Sequence, residues 1–203
     1  MSMVTNIDKV ANVEVLNFDE IPGPHMTAER MMELKHYVNS LLEREDICGV
    51  VITHGTDSLE ETAYFLDLTI DNEKPVIVTG AMRSSSELGY DGPSNLSGAV
   101  CTAISDSARN KGVLIVLNNE VNAAHSVTKT HTMSLDTFKS LEFGPIGIVD
   151  QDDVIYYRKQ SIPTKHIATN EIETDVHLLK VASGVESTLL NFLVGKGAKG
   201  IVV

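Results

Sequence analysis

Between Val50 and Thr69 the chain reads VVITHGTDSLEETAYFLDLT. An apolar, β-branched run passes straight into His54-Gly55-Thr56-Asp57-Ser58, and a helix-like pattern follows at once. An imidazole, two hydroxyls and a carboxylate therefore stand at the carboxyl end of a buried strand, where open parallel sheets place their ligands. Glycine there lets a ligand approach the backbone. The following helix offers unpaired N–H groups to a substrate carboxylate, and Asp57 suits an ammonium. A site presenting both fits a small zwitterion such as an amino acid. A second cluster lies in HSVTKTHTMSLDTFKS, where Thr128, Thr130 and Thr132 alternate with Val127, Lys129 and His131 at the two-residue period of a strand. A lysine beside a hydroxyl and a carboxylate eases deprotonation of the hydroxyl, so Lys129, Thr56 and Asp57 would together supply a nucleophile or its base.

Each of these features also has a plainer account. Thr56-Asp57-Ser58 fits simple helix capping, with Asp57 or Ser58 as the cap and Glu60 and Glu61 suiting a capping box. His54 alone reads as a structural histidine, and Lys129 as a solvated surface residue, which most lysines are. Neither G-x-G-x-x-G nor G-x-x-x-x-G-K-[ST] occurs, which counts against a nucleotide. The seven histidines lack paired metal spacing, and His125 and His131 in their Thr-rich run make a poor zinc site. No metal or cofactor is expected.

The elements that must position these residues follow from hydrophobic period. VEVLNF, GVVIT, PVIVTG and GVLIVLN are near-continuous apolar runs, expected as strands covered on both faces. MTAERMMELKHYVNSLLER predicts a helix capped by Thr27, with Met31, Leu34, Val38, Leu41 and Leu42 as its apolar stripe. SLEETAYFLDLT predicts a second helix, with Leu59, Ala63 and Leu66 on one side, and GPSNLSGAVCTAISDSARN a third. Alternation of β and α implies an α/β fold with a doubly wound, mostly parallel sheet. Its ligand-facing strand ends would be Thr53–Asp57, Thr79–Arg83 and Asn118–Glu120. From Gly144 the rhythm changes, and FGPIGIVDQDDVIYYRK reads as a hairpin. Residues 1–158 form one domain on this reading and 159–175 a linker. Residues 176–203 are the strand–helix–strand beginning of a second, smaller α/β domain.

Composition narrows the class. With 42% hydrophobic residues, 203 residues suit a soluble globular chain, and a net charge of −12 repels DNA or RNA. No apolar run approaches the roughly 20 residues of a membrane helix, and the first residues lack a secretion-signal layout. The expectation is a cytoplasmic protein with two buried free thiols, Cys48 and Cys101.

Taken together, THGTDSLEETAYFLDL, PVIVTGAMRSSSELGYDGPSNL and VTKTHT…DTFKS resemble the bacterial-type L-asparaginases. IPGPHMT resembles that family's substrate-pocket segment before the first helix. The resemblance implies hydrolysis of L-asparagine, and more weakly L-glutamine, to the acid and ammonia. A threonine attacks the side-chain amide through an acyl-enzyme, with no metal or cofactor. It implies a homotetramer with each active site shared between the large domain of one subunit and the small domain of its neighbour. Carried over by position, Thr56 matches the family's second catalytic threonine, Asp57 its partner and holder of the substrate α-amino group, and Lys129 the lysine of the triad. Ala81 would contact the side-chain amide through its backbone. Gly23 stands where the family usually has a serine that grips the α-carboxylate.

The family also begins with a strand ending in Thr-Gly-Gly-Thr-Ile, which bears the first catalytic threonine, and a loop bearing a catalytic tyrosine. This sequence shows neither, and it stops where the small domain should continue. The resemblance implies an L-asparaginase chain that is truncated at both ends and lacks the first catalytic threonine. The alternative is a non-catalytic relative that binds acidic amino acids or associates with an intact one.

Overall fold

The computed structural model describes residues 7–159 and 165–203. Two compact units are present, Met1–Ala168 and Thr169–Val203.

The first unit starts with α1 (Ile7–Val10), followed by an irregular stretch and then α2 (Ala28–Leu42), β1 (Val50–Thr53), α3 (Leu59–Thr69), β2 (Val76–Thr79), α4 (Gly92–Ile104) and β3 (Val113–Leu117). The segment VEVLNF, expected as a strand, is not one: residues 11–22 have no regular structure. No strand adjoins it among the described residues, and its side chains grip α2 and the turn after it instead. Phe18 stacks on Tyr37 with ring centroids 5.4 Å apart, Asp19 pairs with Arg30, and Glu14 pairs with Arg44 at 2.8 Å.

Thr27 caps α2, its hydroxyl accepting from the Arg30 amide. Leu34, Val38 and Leu42 are buried as the stripe requires, but Met31 and Leu41 are only half-buried. The covered face is turned toward Met32 and Lys35. A stripe drawn from apolar residues leaves Lys35 out because its charge hides the packing value of its aliphatic stem. In α3, Leu59, Ala63 and Leu66 are fully buried. The third helix stops at Ile104, where Ser105 turns extended, and a 3-10 turn covers Asp106–Ala108.

β1, β2 and β3 run parallel, with Thr53 beside Thr79 at their carboxyl ends. Both faces of β2 and β3 are buried. Val76, Val78, Val113 and Ile115 meet α2 and α3, whereas Ile77, Leu114 and Val116 meet α4. The fold is α/β, the class that the alternating elements imply. Beyond β3 the six-stranded sheet continues antiparallel through β4 (Glu120–Ala123), β7 (Gly147–Asp150) and β8 (Asp153–Tyr156). Asn118 and Asn119, both with positive φ (51° and 61°), turn β3 into β4. A two-residue turn of that conformation matches the twist of a hairpin. Glu120 therefore opens a strand instead of ending one, and its carboxylate pairs with Lys139.

β5 (Val127–Lys129) and β6 (Phe138–Ser140) form a separate two-stranded antiparallel sheet. The strand period expected through Thr132 ends at Lys129. Thr137 closes the following loop, its carbonyl accepting from the Thr130 amide and hydroxyl and its hydroxyl accepting from the His131 amide. Cys101 is buried, and burial raises its thiol pKa, but Cys48 is exposed in the turn before β1 and not in the core as expected.

The second unit holds β9 (Val176–Leu178), α5 (Thr188–Lys196) and β10 (Gly200–Val202), with β9 parallel to β10. Part of the expected linker, residues 160–164, lies outside the described residues, as do residues 1–6; residues 165–175 contain no helix or strand. Among the described residues no helix is long and apolar enough to cross a membrane.

Candidate active site

The parallel rung Thr53–Thr79 sets two turns side by side, residues 54–58 after β1 and residues 80–83 after β2. The His54 amide donates to the Thr79 carbonyl at 2.8 Å, locking the first turn to the second strand. The His54 ring lies 2.7 Å from the Gly55 carbonyl through Nδ1 and 3.0 Å from the Thr62 hydroxyl through Nε2. Nδ1 donates and Nε2 accepts, so both nitrogens are used within the fold and the imidazole serves structure.

Gly80 must approach this turn closely. A Cβ on Gly80 would lie 2.4 Å from the His54 carbonyl oxygen and 3.3 Å from the Thr56 methyl. Backbone cannot yield as a flexible side chain would, so Gly80→Ala is expected to destabilise the fold by about 1–3 kcal/mol. Thermal unfolding of the variant checks this.

Lys129, at the end of β5, reaches back to the first turn. Its Nζ lies 2.9 Å from Thr56 Oγ1 and 2.8 Å from Asp57 Oδ1. The lysine side chain is only 14% exposed and that of Asp57 63%, so the ammonium points inward while most of the carboxylate surface is left to solvent. The three residues singled out in the sequence thus converge on one point. Together with Thr130, His131 and Thr132, Asp57 and Lys129 line an open cleft of about 190 Å³.

The two remaining nominated residues lie on adjoining backbone. Gly23 packs against Gly55, where a Cβ on Gly23 would stand 3.2 Å from the Gly55 carbonyl oxygen and one on Gly55 2.9 Å from the Gly23 nitrogen. Ser58, the N-cap of α3, makes no capping bond; its hydroxyl donates to the Gly23 carbonyl. Ala81 sits in the turn after β2, next to Gly80.

Four side chains that the sequence reading did not nominate hold this arrangement. Asp91, beside α4, accepts from the Met82 amide at 3.0 Å and the Arg83 amide at 2.9 Å. Asn95 Nδ2 donates to the Gly80 carbonyl and to Asp91, and its Oδ1 accepts from the Asn118 amide. Ser58 ties the first turn to Gly23. Glu60 does not close a capping box; its carboxylate accepts from the Thr128 hydroxyl at 2.9 Å and from the Lys129 amide. The buried asparagine inside α4 was the one legible signal, since asparagine is a poor helix former that such a position tolerates only for its hydrogen bonds. Among the described residues no group of His, Cys, Asp or Glu converges in a way that could hold a metal ion.

The fold and site define an α/β protein with a hydroxyl–carboxylate–ammonium cluster at the carboxyl ends of parallel strands. Residues 1–162 match the asparaginase N-terminal domain family, and the chain belongs to that family. It is 38% identical over 206 residues to L-asparaginase 2 of Bacillus subtilis (strain 168), covering 98% of this chain and 54% of that one. A probable periplasmic L-asparaginase of Haemophilus influenzae is 37% identical over 206 residues, with 98% and 58% covered. The probable cytoplasmic L-asparaginase of Campylobacter jejuni superposes with a TM-score of 0.92 at 36% identity, over 100% of this chain and 66% of that one. The chain spans a little over half the length of these curated relatives.

Proposed function

We propose that the chain carries an L-asparaginase site that hydrolyses L-asparagine to L-aspartate and ammonia through Thr56, Asp57 and Lys129. The observation that carries this reading is the Lys129 ammonium within hydrogen-bonding distance of both the Thr56 hydroxyl and the Asp57 carboxylate. As Oγ1 bonds to the side-chain amide carbon, the Thr56 proton passes to Lys129 Nζ, which gives one of its own to the Asp57 carboxylate. The carbon–nitrogen bond then breaks and ammonia leaves with that proton. Water resolves the resulting ester to the carboxylate, its proton following the same path. Asp57 offers its exposed face to the substrate α-ammonium. The first turn of α3, which has no side-chain cap, seats the α-carboxylate. Gly23 and Ala81 contribute backbone to the walls, with Ala81 toward the side-chain amide.

Location in the cytoplasm and assembly as a homotetramer complete the reading. The name of the Campylobacter jejuni relative supports the first; the exposed cross-strand pair Ile148 and Ile155 on β7 and β8 supports the second. Cell fractionation and sedimentation velocity check them.

The deciding experiment measures ammonia from L-asparagine and thermal stability with L-aspartate on the same preparation. A ligand bound by the folded state alone raises stability by about 2.7 kcal/mol at a hundredfold excess over its dissociation constant. Asp57→Asn is expected to lose most of that shift and to raise KM about tenfold or more, because the α-ammonium loses its counter-charge. The absence of both turnover and a thermal shift at millimolar L-aspartate would sink the reading.

A further inference from the structure

Glu60 takes no part in the contact among Thr56, Asp57 and Lys129, yet it lies half-buried between their two segments. It stands in the first turn of α3, directly after the turn that carries Thr56 and Asp57. Its carboxylate accepts from two successive residues of β5, the Thr128 hydroxyl at 2.9 Å and the Lys129 backbone N–H. A single side chain therefore joins the segment bearing the hydroxyl and the acid to the strand bearing the ammonium. β5 is three residues long and pairs with β6 in a two-stranded sheet separate from the main one. Val127 and Phe138 hold that ladder in the core, and Lys129 stands at its far end from Val127.

We propose that Glu60 is a positioning residue that fixes β5 against α3 so that the Lys129 ammonium meets Thr56 and Asp57 together. The inference rests on the reading of that cluster as the active site. A lysine on a four-carbon stem carries about 2 kcal/mol of rotamer entropy, so its head is placed only as well as its backbone is. Displacement of a reacting group by about 1 Å costs on the order of a hundredfold in rate. Both Glu60 oxygens accept here, and both partners donate. Glutamine could keep both contacts, its oxygen accepting from the Lys129 N–H and its amide donating to the Thr128 hydroxyl, which also accepts; methionine has a similar length and replaces neither bond.

The test uses Glu60→Met in the 203-residue chain. With lysine side chains labelled with carbon-13, the unaltered chain is expected to show a nuclear Overhauser contact between the Lys129 ε-methylene and the Thr56 methyl. Glu60→Met should lose that contact while the ladder between β5 and β6 persists. In the ammonia assay kcat should fall about 10- to 100-fold with KM unchanged within twofold. In a Lys129→Met background the same substitution should cost nothing further. A Lys129–Thr56 contact that survives in Glu60→Met, or a loss fully additive with Lys129→Met, overturns the positioning role. Activity retained by Lys129→Met alone would instead overturn the active-site reading, while the contact measurement still reports on Glu60.

Discussion

Lys129→Met is expected to lower ammonia release from L-asparagine by about a thousandfold or more while the protein stays folded. The substitution keeps a stem of similar length and removes the nitrogen that lies 2.9 Å from Thr56 Oγ1. Without it the threonine hydroxyl has no partner to take its proton, and an unactivated hydroxyl is a weak nucleophile. Stability should change little. The carboxylate left behind belongs to Asp57, whose side chain is 63% exposed and can rehydrate, and exposed ion pairs contribute about 0–1 kcal/mol. Lys129→Arg should not rescue activity, because a guanidinium does not give up its proton in proteins and its planar fork does not fit a point contact. Steady-state kinetics beside a thermal melt separate the two effects. Turnover within threefold of the unaltered protein would remove Lys129 from the mechanism.

Asp91→Ala is expected to have the largest effect on stability among the residues around the site. The carboxylate serves three donors, the amides of Met82 and Arg83 and the side-chain amide of Asn95. Removing it leaves half-buried donors without their partner, and hydrogen bonds to a charged group contribute about 1.5–3 kcal/mol each. The bonds share one group, so the losses do not add, and a total near 3 kcal/mol is expected. For a chain of this size that corresponds to a fall in Tm of about 6–12 °C. Asp91→Asn retains one acceptor and should lose about half as much. Activity should fall in both, since the turn they loosen carries Gly80, which packs against the turn of His54 and Thr56. A melt of Asp91→Ala within about 2 °C of the unaltered protein would show that the turn holds itself.

Part of the candidate site was legible because two of its residues are local. Thr56 and Asp57 stand between an apolar run and an amphipathic helix, and both flanking elements form where their periods place them. The hairpin of β7 and β8 and the turn glycines were equally readable. Glu60 was misread because its spacing from Asp57 fits a cap equally well, whereas its carboxylate reaches a strand 68 and 69 residues further along. Asp91 was passed over, because its carboxylate reaches back over eight and nine residues and no local pattern marks that contact. VEVLNF has the composition of a strand, but a strand exists only as part of a ladder, and the segment has no neighbour to pair with among the described residues. The adjacent asparagines at 118 and 119 were taken for a ligand-facing strand end, although a pair with positive φ favours a tight hairpin.

By itself the amino-acid sequence determined the α/β class, the helix faces that cover β2 and β3, and the turn that presents Thr56 and Asp57. These depend on side-chain periods of two or 3.6 residues and on turn chemistry, which act over a few neighbouring positions. Only the tertiary structure decided where the ammonium of Lys129 comes to rest, which carboxylates brace the turns, and where the sheet changes from parallel to antiparallel. Those outcomes depend on hydrogen bonds between segments far apart in the chain, and no local pattern encodes the partner of a carboxylate that reaches across the fold.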